Sequence, residues 1–194
     1  MLVMLLLCLL LLFIFLTNTQ SPKKETGTMQ QNSESEIINA NFKNDPAKWI
    51  YYACIKEGFS PLVAGFVVAQ CAYETGDFCS PLCNAYNNCS GNKYVAATGV
   101  LCGNNAYKLA SGFAAYTSVK WWLLDYIRII SLSRYGKILQ SVSLADFVNC
   151  LWRGGYFGVT YPNGTETAQN YYNGCRHYYQ YYQNLFTSKS QGLL

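Results

Sequence analysis

Residues 60–76 read SPLVAGFVVAQCAYETG, and the fold turns on what this stretch becomes. Ser60 can cap a helix, Pro61 suits its first turn, and Gly76 suits the residue just past its end. No charge lies between Glu57 and Glu74, so the predicted helix carries its one carboxylate at its far end. Burying an unpaired carboxylate is costly, because desolvation disfavours the ionised form. Glu74 therefore needs a reason to end an apolar run.

The same grammar recurs outward. In DPAKWIYYACIKEG, residues 45–58, Asp45 is the expected N-cap, Pro46 the first turn and Gly58 the terminator. TSVKWWLLDYIRIISL and SVSLADFVNCLWRGG predict two further helices, the second with Ser143 and Asp146 at capping-box spacing. A Tyr-rich segment from about Thr165 to Phe186 completes the helical set. Residues 84–113, rich in Cys, Asn and Gly, predict an irregular or short-stranded lobe. The expected class is mainly α, one helical domain with a small β-containing lobe.

Composition limits the function. Of 194 residues 51% are hydrophobic, enough for one domain with a core. Charged residues make up 12% and aromatic residues 16%, with 17 Tyr. Such a surface can stack on sugar rings and hydrogen-bond hydroxyls, although Tyr also serves as packing. A net charge of +4 with no basic cluster beyond Lys23 and Lys24 gives little support for nucleic-acid binding. An acidic polymer such as bacterial cell wall remains compatible.

The run from Met1 to Leu16 is apolar throughout, short for a spanning helix and long enough for a signal-peptide core. No Lys or Arg precedes it and no A-x-A-like site follows, so residues 1–17 are expected to be a signal peptide or an N-terminal membrane anchor. Residues 18–44 look like a flexible linker, 45–187 like the folded domain and 188–194 like a tail. Beyond the leader, Cys54, Cys71, Cys79, Cys83, Cys89, Cys102, Cys150 and Cys175 form an even set. It suits up to four disulfides and a secreted or anchored location facing the periplasm or exterior. A metal site is the competing reading for Cys79, Cys83 and Cys89, but no C-x-x-C pair exists and His177 is the one histidine. No metal or cofactor is expected.

With these pieces in order, a resemblance emerges. GFSPLVAGFVVAQCAYETGDF is similar to the active-site helix of the flagellar-type glucosaminidases, glycoside hydrolase family 73, in the lysozyme-like superfamily. NAYNNCSG resembles that family's N-N-L-F-G segment, FAAYTSVKWWLLDYIRII its F-R-x-Y helix, and LWRGGYFG its L-x-x-A-G-Y element. The pieces keep the family's order over residues 48–182. The resemblance implies an α+β lysozyme-like fold and a glycosidase acting on peptidoglycan or a related N-acetylglucosamine polymer. It makes Glu74 the general acid and Tyr156 the group that orients the substrate N-acetyl or polarises the reacting centre. The family's Ala-Thr-Asp after this Tyr is replaced here by FGVTYPNGTE.

Many glycosidases use two carboxylates, yet no Asp or Glu occurs from Phe78 to Leu124. Asp77 follows Glu74 too closely, Asp125 matches a structural Asp of the family, and Glu166 lies in the loop after Tyr156. Two single-acid routes remain: attack by the substrate's N-acetyl oxygen, or by a muramyl hydroxyl to give an anhydro product, as in a lytic transglycosylase. A non-catalytic glycan-binding module is a further reading. Candidate substrate-binding residues are Asn87, Asn88, Tyr86, Tyr116 and Tyr161, with Tyr94, Trp121 and Trp122 as further stacking candidates. Asn and Tyr at these positions are also ordinary turn and core chemistry. A Cys–His hydrolase would pair His177 with Cys71 or Cys150, both of which sit in apolar helical patterns.

Overall fold

The computed structural model describes the backbone of residues 27–158, 160–161, 164–165 and 167–187, and the side chains of residues 36–158 and 167–187. The expected leader 1–17 and tail 188–194 lie outside the described residues. Among those described, no helix is long and apolar enough to cross a membrane. The chain divides into two compact units, residues 1–33 and 34–194, and the second carries everything that follows.

Its helices are α1 (Gly27–Asn44, entering this unit at Glu34), α2 (Pro46–Lys56), α3 (Pro61–Thr75), α4 (Pro81–Tyr86), α5 (Ala96–Cys102), α6 (Val119–Ile130), α7 (Leu144–Arg153), α8 (Ala168–Tyr181) and α9 (Gln183–Thr187). Strands β1 (Ala106–Lys108) and β2 (Ala114–Tyr116) pair antiparallel with Tyr107 opposite Ala115, and β3 (Thr160–Tyr161) pairs with β4 (Gly164–Thr165). The result is the mainly α fold with a small β lobe that the sequence predicts.

α3 is the centre of it. Every residue from Val63 to Ala72 is buried, Gln70 included, so the helix is covered on all faces and must be wrapped by others. α2, α7, α8 and α9 supply the wrapping. α8 comes close because Gly174 faces the Tyr73 ring, where an added Cβ would collide with it. The predicted caps are in place. Asp45 accepts from Lys48 N, Ser60 from Val63 N and Ser143 from Asp146 N. Gly76 ends α3 with φ 58° and ψ 60°, a left-handed conformation that favours glycine.

Two expectations are corrected. The stretch expected to be a linker through residue 44 is helical from Gly27, and its end belongs to the domain. Phe42 is buried, edge-on to Trp49 and to Phe78. Asn39 donates to Thr117 O and accepts from Val119 N, which satisfies a free amide at the start of α6. The polar composition of the segment concealed an apolar stripe of Ile38 and Phe42, one helical turn apart.

The disulfide framework is also smaller than expected. Cys83–Cys89 is the disulfide among the described residues. Cys54, Cys71 and Cys102 are buried thiols, Cys150 is half-buried and Cys79 exposed. Burial holds the Cys54 and Cys71 thiols above their ordinary range and pushes Cys102 up to about 11, so these cysteines serve as small apolar side chains. With a sequence separation of 6, the bond closes a short loop. Its loss removes about 2 kcal/mol by loop-entropy reasoning, a fall in Tm of about 4–8 °C for a domain of this size. Melting with and without reductant checks this, and an unchanged Tm would show that the bond contributes nothing.

Candidate active site

α3 delivers Glu74 to the wall of an open cleft of about 750 Å³. The helix end is fixed from within: the Thr75 hydroxyl donates to Cys71 O at 2.6 Å and accepts from Phe78 N at 2.8 Å. Glu74 itself is exposed, so the burial that the sequence implies for a carboxylate ending this run is not found, and the buried stretch is Val63–Ala72. Its partner comes from α8. Tyr171 Oη donates to Glu74 Oε1 at 2.5 Å. The Tyr171 ring is buried, stacked on Phe157 with centroids 3.8 Å apart and edge-on to Tyr73 at 5.1 Å. Burial, and next the Glu74 charge, hold this phenol well above the ordinary tyrosine range, so it remains a donor.

Another part of the lining rests on a buried polar network. The Asn88 carboxamide donates to Asn92 O and Ala114 O and accepts from Asn92 N. Ser90 Oγ donates to Asn92 Oδ1 and accepts from Trp122 Nε1, both at 2.8 Å. Asn92 Nδ2 donates to Tyr116 Oη at 3.3 Å, and Tyr116 Oη donates to Asp125 Oδ2 at 2.7 Å. Thr98 and Arg128 complete the set around the fully buried Asp125. Asp125 is thus a structural anchor, as the sequence suggested. The network ends at Tyr156, whose hydroxyl donates to Ser90 O at 2.7 Å while its side chain lines the cleft. Burial first, then the nearby Glu74 charge, keep Tyr156 a neutral phenol.

Glu74 and Tyr156 therefore share one cleft, and the remaining sequence candidates mostly do not. Asn88 lines it, but its side chain is spent on backbone. Asn87 caps α4 and donates to Tyr116 O at 2.8 Å, away from the lining. Tyr116 is 2% exposed and its hydroxyl is paired with Asp125, so it is core. Tyr86 is exposed outside the cleft. The side chain of Tyr161 and all of Glu166 lie outside the described residues. Trp122 is core, Trp121 packs against it, and Tyr94 also lies outside the cleft lining. His177 is exposed on α8, Cys71 is buried and Cys150 is half-buried, and none of the three lines the cleft. Asp77 accepts from Tyr182 Oη at 2.5 Å and is not part of the cleft. Among the described lining residues Glu74 is the carboxylate.

Tyr171 was not singled out by the sequence. Six Tyr fall between 171 and 182, and composition alone does not choose among them. The pattern Tyr171, Cys175, Tyr178 and Tyr182, spaced at one helical face, is the signal that could have found it.

A helical domain whose central helix ends in a carboxylate on the cleft wall, with a small β lobe beside it, is an arrangement that a glycoside hydrolase can use. The Glucosaminidase family pattern, described as mannosyl-glycoprotein endo-beta-N-acetylglucosaminidase, matches residues 47–184, and the chain belongs to that family. Among solved structures it is similar to a peptidoglycan hydrolase from Sphingomonas sp. A1, with 23% identity over 68% of this chain and 86% of that one and a TM-score of 0.47. No curated protein matches the chain.

Proposed function

We propose that the protein cleaves β-1,4 bonds next to N-acetylglucosamine in peptidoglycan, with Glu74 as general acid. The observation that carries this reading is that Glu74 is the carboxylate of the described cleft lining and is positioned by the Tyr171 hydroxyl. Protonated Glu74 gives its proton to the glycosidic oxygen as the bond to C1 breaks. The carbonyl oxygen of the substrate's own N-acetyl group forms the new bond to C1. Water then attacks C1, the bond from C1 to the acetyl oxygen breaks and restores the N-acetyl group, and the water gives a proton to the Glu74 carboxylate, which restores the acid. Tyr156 would hold the N-acetyl group against C1, since its neutral hydroxyl retains acceptor capacity while it donates to Ser90 O. An exported location suits this substrate, with residues 1–17 as signal or anchor.

Digestion of purified peptidoglycan followed by mass spectrometry of the new ends tests the reading. The expected product is a reducing N-acetylglucosamine end. An anhydromuramyl end, lighter by one water, would assign a lytic transglycosylase, and wall binding with no product would assign a non-catalytic module.

A further inference from the structure

Charge among the described cleft residues is lopsided. Against Glu74 stand Lys93 from the lobe, Arg128 from the end of α6 and Arg134 from the turn that follows it. Arg128 is already neutralised: its Nε donates to the buried Asp125 at 2.7 Å. Lys93 and Arg134 make no ion pair among the described residues. Each is held over an aromatic ring instead. Lys93 Nζ lies 3.2 Å from the Phe113 centroid, and Arg134 Cζ lies 4.8 Å from the Tyr135 centroid. Arg134 Nη2 also donates to Tyr135 Oη at 3.0 Å, and Tyr135 is buried.

A ring contact restrains a long cationic side chain without cancelling its charge. Two such cations in one concave site focus a positive potential there, and each keeps N–H donors for an incoming anion. The glycan strand of peptidoglycan offers them no charge in its N-acetylglucosamine units. Its peptide stems do, through their carboxylates. Resting on the glycosidase reading above, we propose that Lys93 and Arg134 bind stem-peptide carboxylates, so that the cleft prefers peptide-bearing wall glycan to a neutral N-acetylglucosamine polymer.

The test is a binding measurement, so that it does not depend on turnover. Soluble, uncrosslinked peptidoglycan fragments are titrated into the full-length Glu74→Gln protein, either native or with their carboxylates converted to methylamides. Native fragments are expected to bind about tenfold more tightly, with the difference shrinking as salt rises. In the Glu74→Gln background, Lys93→Gln with Arg134→Gln should bring the two affinities to near parity, while Arg134→Lys keeps most of the preference. Melting curves of each variant separate lost charge from lost fold. Equal affinities for the two fragments, no binding of either, or a preference that survives the double substitution would overturn the proposal. A preference in binding with no cleavage by the unaltered protein would instead overturn the glycosidase reading and leave the carboxylate site standing.

Discussion

Glu74→Gln is expected to lower turnover of peptidoglycan by about 10²–10⁴-fold, the usual contribution of a general acid, while wall binding and Tm stay near their starting values. The amide has the shape of the carboxyl group, and its Oε1 can still accept from Tyr171 Oη. The α3 end is held by Thr75 and Gly76, neither of which uses the Glu74 side chain. On the proposed mechanism, what the substitution removes is the proton that the leaving oxygen needs. Product release from purified wall, alongside a pull-down and a melting curve, measures the three quantities together. If the variant kept more than about a tenth of the activity, the acid would have to be another group.

Local rules of helix ends place Glu74 at the end of a buried helix, and the resemblance to the glucosaminidase motifs is what marks it out as the acid candidate. Ser60, Pro61 and Gly76 bracket one helix, and the largely apolar run between them, uncharged until Glu74, favours burial on all faces, which puts that helix at the centre. A glutamate at its end then lies where the wrapping stops. The ordered motifs made Tyr156 legible in the same way, and it faces the same cleft.

What stayed hidden depends on contacts between distant parts of the chain. Tyr171 reaches Glu74 across 97 residues of sequence, a contact made where α8 packs on α3 and Gly174 meets the Tyr73 ring. Asn87 and Asn88 have the composition of sugar ligands, but β2 passes within reach and its carbonyls, Ala114 O and Tyr116 O, take their donors. Polar side chains beside irregular backbone are as often its hydrogen-bond partners as a ligand's. The cysteines misled for a related reason. Even number and apparent export suggest pairing, whereas helical placement makes Cys54 and Cys71 core side chains.

The absence of a second carboxylate in the described lining leads to the sharpest mechanistic expectation. On the substrate-assisted route proposed above, wall glycan de-N-acetylated at the cleaved glucosamine should react about 10²-fold more slowly or worse, because the intramolecular nucleophile is lost and no second carboxylate of the described lining replaces it. Asp125 cannot substitute, being fully buried and bound by Tyr116, Thr98 and Arg128. Asp77 is bound by Tyr182 and lies outside the cleft. Its replacement by Asn should therefore act on stability before turnover. The comparison is made on one batch of wall, enzymatically deacetylated in part, by counting cleavages beside acetylated and free glucosamine. A free amine adds positive charge near Lys93 and Arg134, so the same digest is repeated at high salt, where that repulsion is screened and the loss of the acetyl oxygen is not. Equal cleavage beside both sugars would reject substrate assistance. The nucleophile or base would then have to come from the chain, and Glu166 would be the carboxylate to replace first, since its loop follows Tyr156 in sequence and Tyr156 lines the same cleft as Glu74.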